Sequence, residues 1–278
     1  MTSGASALPN VQRRRNLVVV RAGDSSLHGP WLLPAERSYD VLVSYYGRAA
    51  GSHADGADDY EQRAGPKWPC IGDIFASRPA LLEGYDAFWF PDDDVAADAE
   101  TLERMFALFH GLALELGQPA LTRDSYYTWD FLLQRPGCLM RYSRFVEVMC
   151  PIFSRAMLRR CVATFSENRS GWGIDWLWGD RLPDPSRIGA MAILDATPVR
   201  HTRPLGGNLY RNHPDIDPRR EEWSTLARHG LVERRFVGKY RSVYAVIEPR
   251  RLPWKERLLL KLRELNGIRR WWRAAAGR

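Results

Sequence analysis

Short apolar runs separated by longer polar stretches dominate the first third of the chain. "NLVVVRAGD" (16–24) is rich in valine and closes on Gly23 and Asp24, and "YDVLVSYYG" (39–47) repeats the form and closes on Gly47. Continuous apolar runs of this length, bounded by turn residues, predict strands buried in a parallel sheet. Between them "SSLHGPWLLPAERS" has room for a loop and a short helix. Residues 48–66, "RAAGSHADGADDYEQRAGP", are polar and Gly-rich and predict a surface loop able to order over a ligand. "PCIGDIFASRPALLEGYD" reads as a helix that leads into a third strand, "YDAFWF". Strands joined by crossovers of this kind indicate an α/β sheet.

Further on, "DAETLERMFALFHGLALELG" places Leu102, Met105, Phe106, Phe109, Leu112 and Leu116 at helical spacing, with Asp98 as its cap and Gly117 and Pro119 as its stops. "FVEVMCPIFSRAMLRRCVATFSE" passes from a β-type run into a helical one, and "IGAMAILDATPVRHTRP" holds another strand ending near Thr197. At the end, Trp254, Leu258, Leu262, Leu265, Ile268 and Trp272 form one apolar stripe between basic residues, in a helix weakened by Gly267. The chain therefore divides into a polar leader (1–15), one α/β domain with a mostly parallel central sheet flanked by helices (16–248), and a basic amphipathic C-terminal helix (249–278).

Length and composition, 278 residues and 45% hydrophobic, suit one large core. The net charge of +7 changes the picture only at the end of the chain. Residues 250–278 hold ten Lys/Arg against two Glu, leaving 30 basic and 31 acidic residues in the rest. A near-neutral body argues against a nucleic-acid partner, whereas a basic tail with Trp at its ends suits an anionic membrane surface. The same tail could equally pack on the domain with its charges solvated. Cys70, Cys138, Cys150 and Cys161 contain no C-x-x-C pair, and no run of about 18 apolar residues occurs. The expectation is a cytoplasmic protein, with the tail as the element that would bring it to the inner face of a membrane.

Three constellations carry candidate chemistry. "YDAFWFPDDDVAAD" (85–98) ends an apolar strand in three aspartates, where ligands of open α/β sheets bind. Asp92 and Asp94 project to one side of an extended chain and offer oxygen ligands to Mn²⁺ or Mg²⁺; the alternative is an acidic cap on the following helix. "SGWGIDWLWGD" (170–180) sets Trp172, Gly173, Asp175 and Trp176 together. An aromatic plate beside a carboxylate holds a sugar, while Trp172, Trp176 and Trp178 read equally well as core. In "DATPVRHTRP", His201 follows a strand, and a lone histidine there is more often structural than a ligand.

Taken in order, D-x-D at a strand tip, "GWGID" and "VRHTR" resemble the metal-dependent glycosyltransferases of the GT-A fold, the β-1,4-galactosyltransferase type above all. "KWPCIGDIF", "YDAFWFPDDD", "VEVMCPIFSRAML" and "GWGIDWLW" also resemble a plant and bacterial family of unknown function labelled lysine-ketoglutarate reductase trans-splicing related, over roughly residues 16–210; that label carries no chemistry. The first resemblance implies a GT-A-like domain in which Asp92, Asp94 and His201 hold the metal and Asp92 and Asp93 lie near the donor. It further implies Asp175 as general base, with Trp172, Gly173 and Trp176 on the acceptor. Where that family has an acidic pair, this chain has Asp175 followed by Trp176, which leaves the division between base and acceptor contact open. Lys67, Arg21 and Asp24 are further candidates for the nucleotide, or else solvated loop charges.

The expected reaction moves a sugar, with inversion, from a nucleoside-diphosphate sugar to a hydroxyl of a glycan or lipid-linked acceptor, as in bacterial polysaccharide biosynthesis. One rival is a sugar nucleotidyltransferase, for which "RAGDSSLHG" is a poor version of the Gly-rich basic loop required. Another is a non-catalytic carbohydrate binder in which the tryptophans stack ligand.

Overall fold

The computed structural model describes residues 14–33, 36–184, 189–205, 213–232 and 246–247. Seven consecutive buried residues, Asn16–Ala22, form β1, an interior strand of the sheet. β2 (Tyr39–Tyr45) and β4 (Ala87–Trp89) pair with it in parallel on either side. Its alternating side chains serve two cores. Leu17 and Val19 face a layer built from α2 (Lys67–Ser77) and α5 (Arg155–Cys161), whereas Val18 and Val20 face α1 (Gly29–Leu32) and α4 (Ala99–Gly111). A strand covered on both faces has no solvent side, which is why its sequence does not alternate.

The sheet runs β10-β7-β9-β6-β8-β4-β1-β2-β3. β3 is Asp59–Gln62, β6 Leu116–Leu121, β7 Met140–Tyr142, β8 Ile152–Ser154, β9 Met191–His201 and β10 Val246–Ile247. β7 and β8 run against the other strands of this order, so the sheet is mixed and not mostly parallel at its centre: it is parallel through β4-β1-β2-β3 and between β6 and β9, and antiparallel on both sides of β8 and of β7. β5 (Val95–Ala96) lies off the path and pairs antiparallel with the end of β9. The other described α-helices are α3 (Ala80–Gly84), α6 (Ile174–Trp178) and α7 (Pro218–Arg228), with 3₁₀ turns at Asp130–Leu132, Val162–Ser166 and Gly179–Arg181. The α/β sheet flanked by helices is as expected, and so is the Asp98 cap, whose side chain accepts from Thr101 N–H at 2.8 Å.

Three further expectations change. The helix capped by Asp98 ends at Gly111, and Leu116, Gly117 and Pro119 belong to β6. Gly117 serves there as a close-approach residue, since a Cβ on it would lie 3.2 Å from the Ala192 carbonyl of β9. Pro119 is tolerated because β8 pairs with β6 only at Leu116 and Gly117. The polar stretch 48–66 is not all loop, for it supplies edge strand β3. β9 continues past Thr197 to His201, held over its last residues by β5. Arg14 and Arg15 of the leader are tied to Asp40, Asp58 and Asp86, and the expected C-terminal helix (249–278) lies outside the described residues.

Candidate functional site

The carboxyl ends of β1, β2 and β4 open into a cavity of about 1270 Å³. Every site residue expected from sequence lines it: Arg21, Asp24, Lys67, Asp92, Asp93, Asp94, Trp172, Gly173, Asp175, Trp176 and His201. Their local environments separate those held by the protein from those aimed at a ligand.

Asp94 and His201 meet because of the short β5–β9 ladder. Val95 pairs with His201, Thr202 N–H and its hydroxyl both donate to the Asp94 carbonyl (3.0 and 2.9 Å), and Nε2 of His201 lies 3.2 Å from Oδ2 of Asp94. A carbonyl can only accept, so the 2.9 Å contact of His201 Nδ1 with the Tyr126 carbonyl makes Nδ1 the donor and turns Nε2 toward the aspartates. Burial lowers the His201 pKa, but the hydrogen bond and charge of Asp94, with Asp92 behind it, outweigh this and raise it. Burial at the cavity floor pushes the Asp92 carboxyl up; Lys67 opposes that shift and Asp94 adds to it. One ligand atom each from Asp92, Asp94 and His201 fall within 4.8 Å of one another. Two carboxylates and an imidazole nitrogen form a donor set suited to a divalent cation such as Mn²⁺.

Asp93, expected near the donor, is occupied by the fold. Its Oδ2 accepts from Gly23 N–H (2.8 Å) and the Tyr46 hydroxyl (2.9 Å), and its Oδ1 from Arg203 at 3.2 Å. Lys67 spends its three N–H donors on Asp92 Oδ1 (2.6 Å) and the Val148 and Met149 carbonyls (2.9 Å each), so it positions Asp92 and leaves no donor for a nucleotide. Arg21 is buried in β1, and its guanidinium donates to Ser44 Oγ and to the Arg63 and Gly65 carbonyls. Burial lowers its pKa. Asp24 is exposed and accepts from the Tyr45 hydroxyl.

The "GWGIDW" segment forms another part of the wall. Gly171 and Gly173 have φ of +81° and +92°, which only glycine adopts freely. A Cβ on Gly171 would strike the Trp68 ring at 2.5 Å, and one on Gly173 would sit 3.1 Å from Glu222 Cα on α7. These close approaches split the tryptophans. Trp178 joins Trp68 and Phe153 in the core, Trp176 packs on Phe145 with ring centres 5.2 Å apart, and Trp172, 36% exposed, stands at the lip. Asp175 is buried and accepts from Trp176 N–H at 3.0 Å. Burial first, then the charges of Glu147 and Glu222, hold its carboxyl well above the ordinary range.

Glu147 and Glu222 line the same cavity and were not among the expected site residues. Glu147 lies just before β8, its N–H donating to Gln118 Oε1 at 2.6 Å, and burial pushes its carboxyl up to about 7. An acid inside the apolar run "FVEVMC" was a signal for it; Glu222, in the charged run "RREEW", gave none.

No protein-family model matches the chain, and no curated protein matches it in sequence, so both resemblances stand on their motifs alone. Among solved structures it is similar to S. aureus TarS residues 1–349, with 11% identity over 81% of this chain and 74% of that one and a TM-score of 0.45. The same fragment in complex with UDP-GlcNAc is similar at 11% identity, 81% and 75% coverage, and a TM-score of 0.44. A likeness at that level assigns no role to any residue.

Proposed function

We propose that the cavity transfers a sugar from a nucleoside-diphosphate sugar to an acceptor hydroxyl, with inversion, using a divalent cation. One observation carries this reading: Asp92, Asp94 and His201 converge to within 4.8 Å in the cavity that also holds Asp175. Asp92, Asp94 and His201 would hold the ion, which when bound offsets the charge growing on the leaving diphosphate. Lys67 fixes Asp92, and the Tyr126 carbonyl fixes the tautomer of His201.

Asp175 takes the proton of the acceptor hydroxyl as that oxygen bonds to the anomeric carbon, while the bond from that carbon to the diphosphate breaks on the opposite face. The raised Asp175 pKa makes its carboxylate a stronger base toward the hydroxyl proton. Trp172 at the lip and Trp176 in the wall offer flat apolar surface to the face of a sugar ring.

The test is thermal unfolding with UDP, GDP or UDP-GlcNAc, in Mn²⁺ and in EDTA. The expected outcome is a nucleotide-dependent rise in Tm with Mn²⁺ only, equivalent to about 2.7 kcal/mol at a hundredfold excess over Kd. Asp94→Asn should abolish the rise. Asp175→Asn should keep it and lose transfer, including slow transfer to water. Equal shifts in Mn²⁺ and EDTA, or none with any nucleotide, would overturn the proposal.

A further inference from the structure

The acidic wall of the cavity holds more carboxyl groups than a single general base requires: Asp175, Glu147 and Glu222. Glu147 is only 5% exposed; the Thr128 side chain hydrogen-bonds its carboxyl, yet its Oε2 is buried without a hydrogen-bond partner. A buried acceptor oxygen left unpaired is costly, so its position on a cavity wall marks a place where a ligand donor belongs. The ligand atoms that converge are those of Asp92, Asp94 and His201, and Asp175, Glu147 and Glu222 lie outside that cluster. The cations lining the cavity are mostly engaged elsewhere. Lys67 is on Asp92, Arg203 on Asp93, Arg169 on Asp215, and Arg21 on Ser44 and backbone carbonyls.

A neutral polyol would give Glu147 Oε2 a hydrogen bond yet leave the carboxylates repelling one another. A group with both N–H donors and positive charge answers both needs, and Trp129, Trp172 and Trp176, which line the same cavity, add aromatic surface that attracts a cation. We propose that the acceptor carries a protonated amino group beside its reacting hydroxyl, with Glu147 as the counter-ion of that ammonium and Asp175 left for the hydroxyl. This names the acceptor class of the transferase reading and rests on it. The charge of Glu147 raises the Asp175 carboxyl, so a cation beside Glu147 would ease the ionisation of Asp175.

The probes are glucosamine, glucose and N-acetylglucosamine, which share a ring and differ in whether C2 bears an ammonium. Binding to the full chain at pH 7 is followed by tryptophan fluorescence and calorimetry. Glucosamine should bind at least about tenfold more tightly than either neutral sugar, as expected for a desolvated ion pair with cation–π support. In Glu147→Gln the preference should vanish, with glucosamine falling to the level of glucose. Equal binding of the three sugars by the wild-type chain, no binding of any of them, or a preference that survives Glu147→Gln would each overturn the proposal. UDP binding with Mn²⁺, measured on the same wild-type sample, separates the two claims. Nucleotide binding without amine preference removes this inference alone, and amine preference without nucleotide binding removes the transferase reading while leaving an amino-sugar site.

Discussion

Replacing Lys67 by Met separates a residue that builds the site from one that binds substrate. Lys67 is the first residue of α2, and its ammonium bridges the strand-tip aspartate Asp92 to the carbonyls of Val148 and Met149. Methionine keeps the stem and removes all three donors. Each carbonyl loses a charged donor, a loss of about 1–2 kcal/mol where water cannot fully replace it. The Asp92 side chain is 37% exposed, so its broken ion pair is screened and adds at most about 1 kcal/mol. The expected total is about 3 kcal/mol. For a chain of this size that lowers Tm by roughly 6–12 °C. Urea unfolding followed by tryptophan fluorescence measures it, since Trp68 adjoins the substituted position and lies in the core. Were Lys67 a nucleotide ligand instead, stability would hold and donor affinity would fall. A stability loss below about 1 kcal/mol together with weakened UDP binding would refute the positioning role.

Two further perturbations test other parts of the structure. Burial, with a smaller contribution from the charge of His53, lowers the His28 pKa to about 4, so between about pH 4 and 6.5 the unfolded chain binds the extra proton. Stability from this group is present above pH 6.5 and lost as pH falls, by about 2 kcal/mol at pH 5; the wild-type minus His28→Gln difference in unfolding free energy should show that slope, and a flat difference would refute it. Gly173→Ala places a Cβ 3.1 Å from Glu222 Cα at a φ of +92°, so it should cost about 1–3 kcal/mol in urea unfolding, and an unchanged midpoint would contradict the packing of α7 on this turn.

What the sequence disclosed is what can be read from neighbouring positions. The β1 and β2 runs announce themselves because strands buried on both faces are apolar throughout, and Asp98 announces α4 because a cap acts within three residues. Gly117 and Pro119 show the limit of local reading. The same two residue types stop helices and mark close approach in a strand, and only the partner strand β9 decides between the two uses. The tryptophans of "GWGIDWLW" show it again. Trp172, Trp176 and Trp178 share one local pattern but end at the lip, in the wall and in the core, because the turn at Gly171 and Gly173 is shaped by Trp68 and by α7.

The pairing of Asp94 with His201 was reachable only through chain-order resemblance, because the ladder that joins them is two residues long and carries no pattern of its own. Glu147 is the instructive omission. Flanked by Phe145, Val146, Val148 and Met149, it is an acid in a run that otherwise reads as core, and a charge there is retained only if something compensates it. Other acids on this strand-tip side have such compensation: Asp93 has Gly23, Tyr46 and Arg203, and Asp92 has Lys67. Thr128 hydrogen-bonds the Glu147 carboxyl, but its Oε2 has no hydrogen-bond partner, and a cation entering the cavity would supply one. Glucosamine binding that weakens to the level of glucose in Glu147→Gln would tie that out-of-place charge to a cationic acceptor.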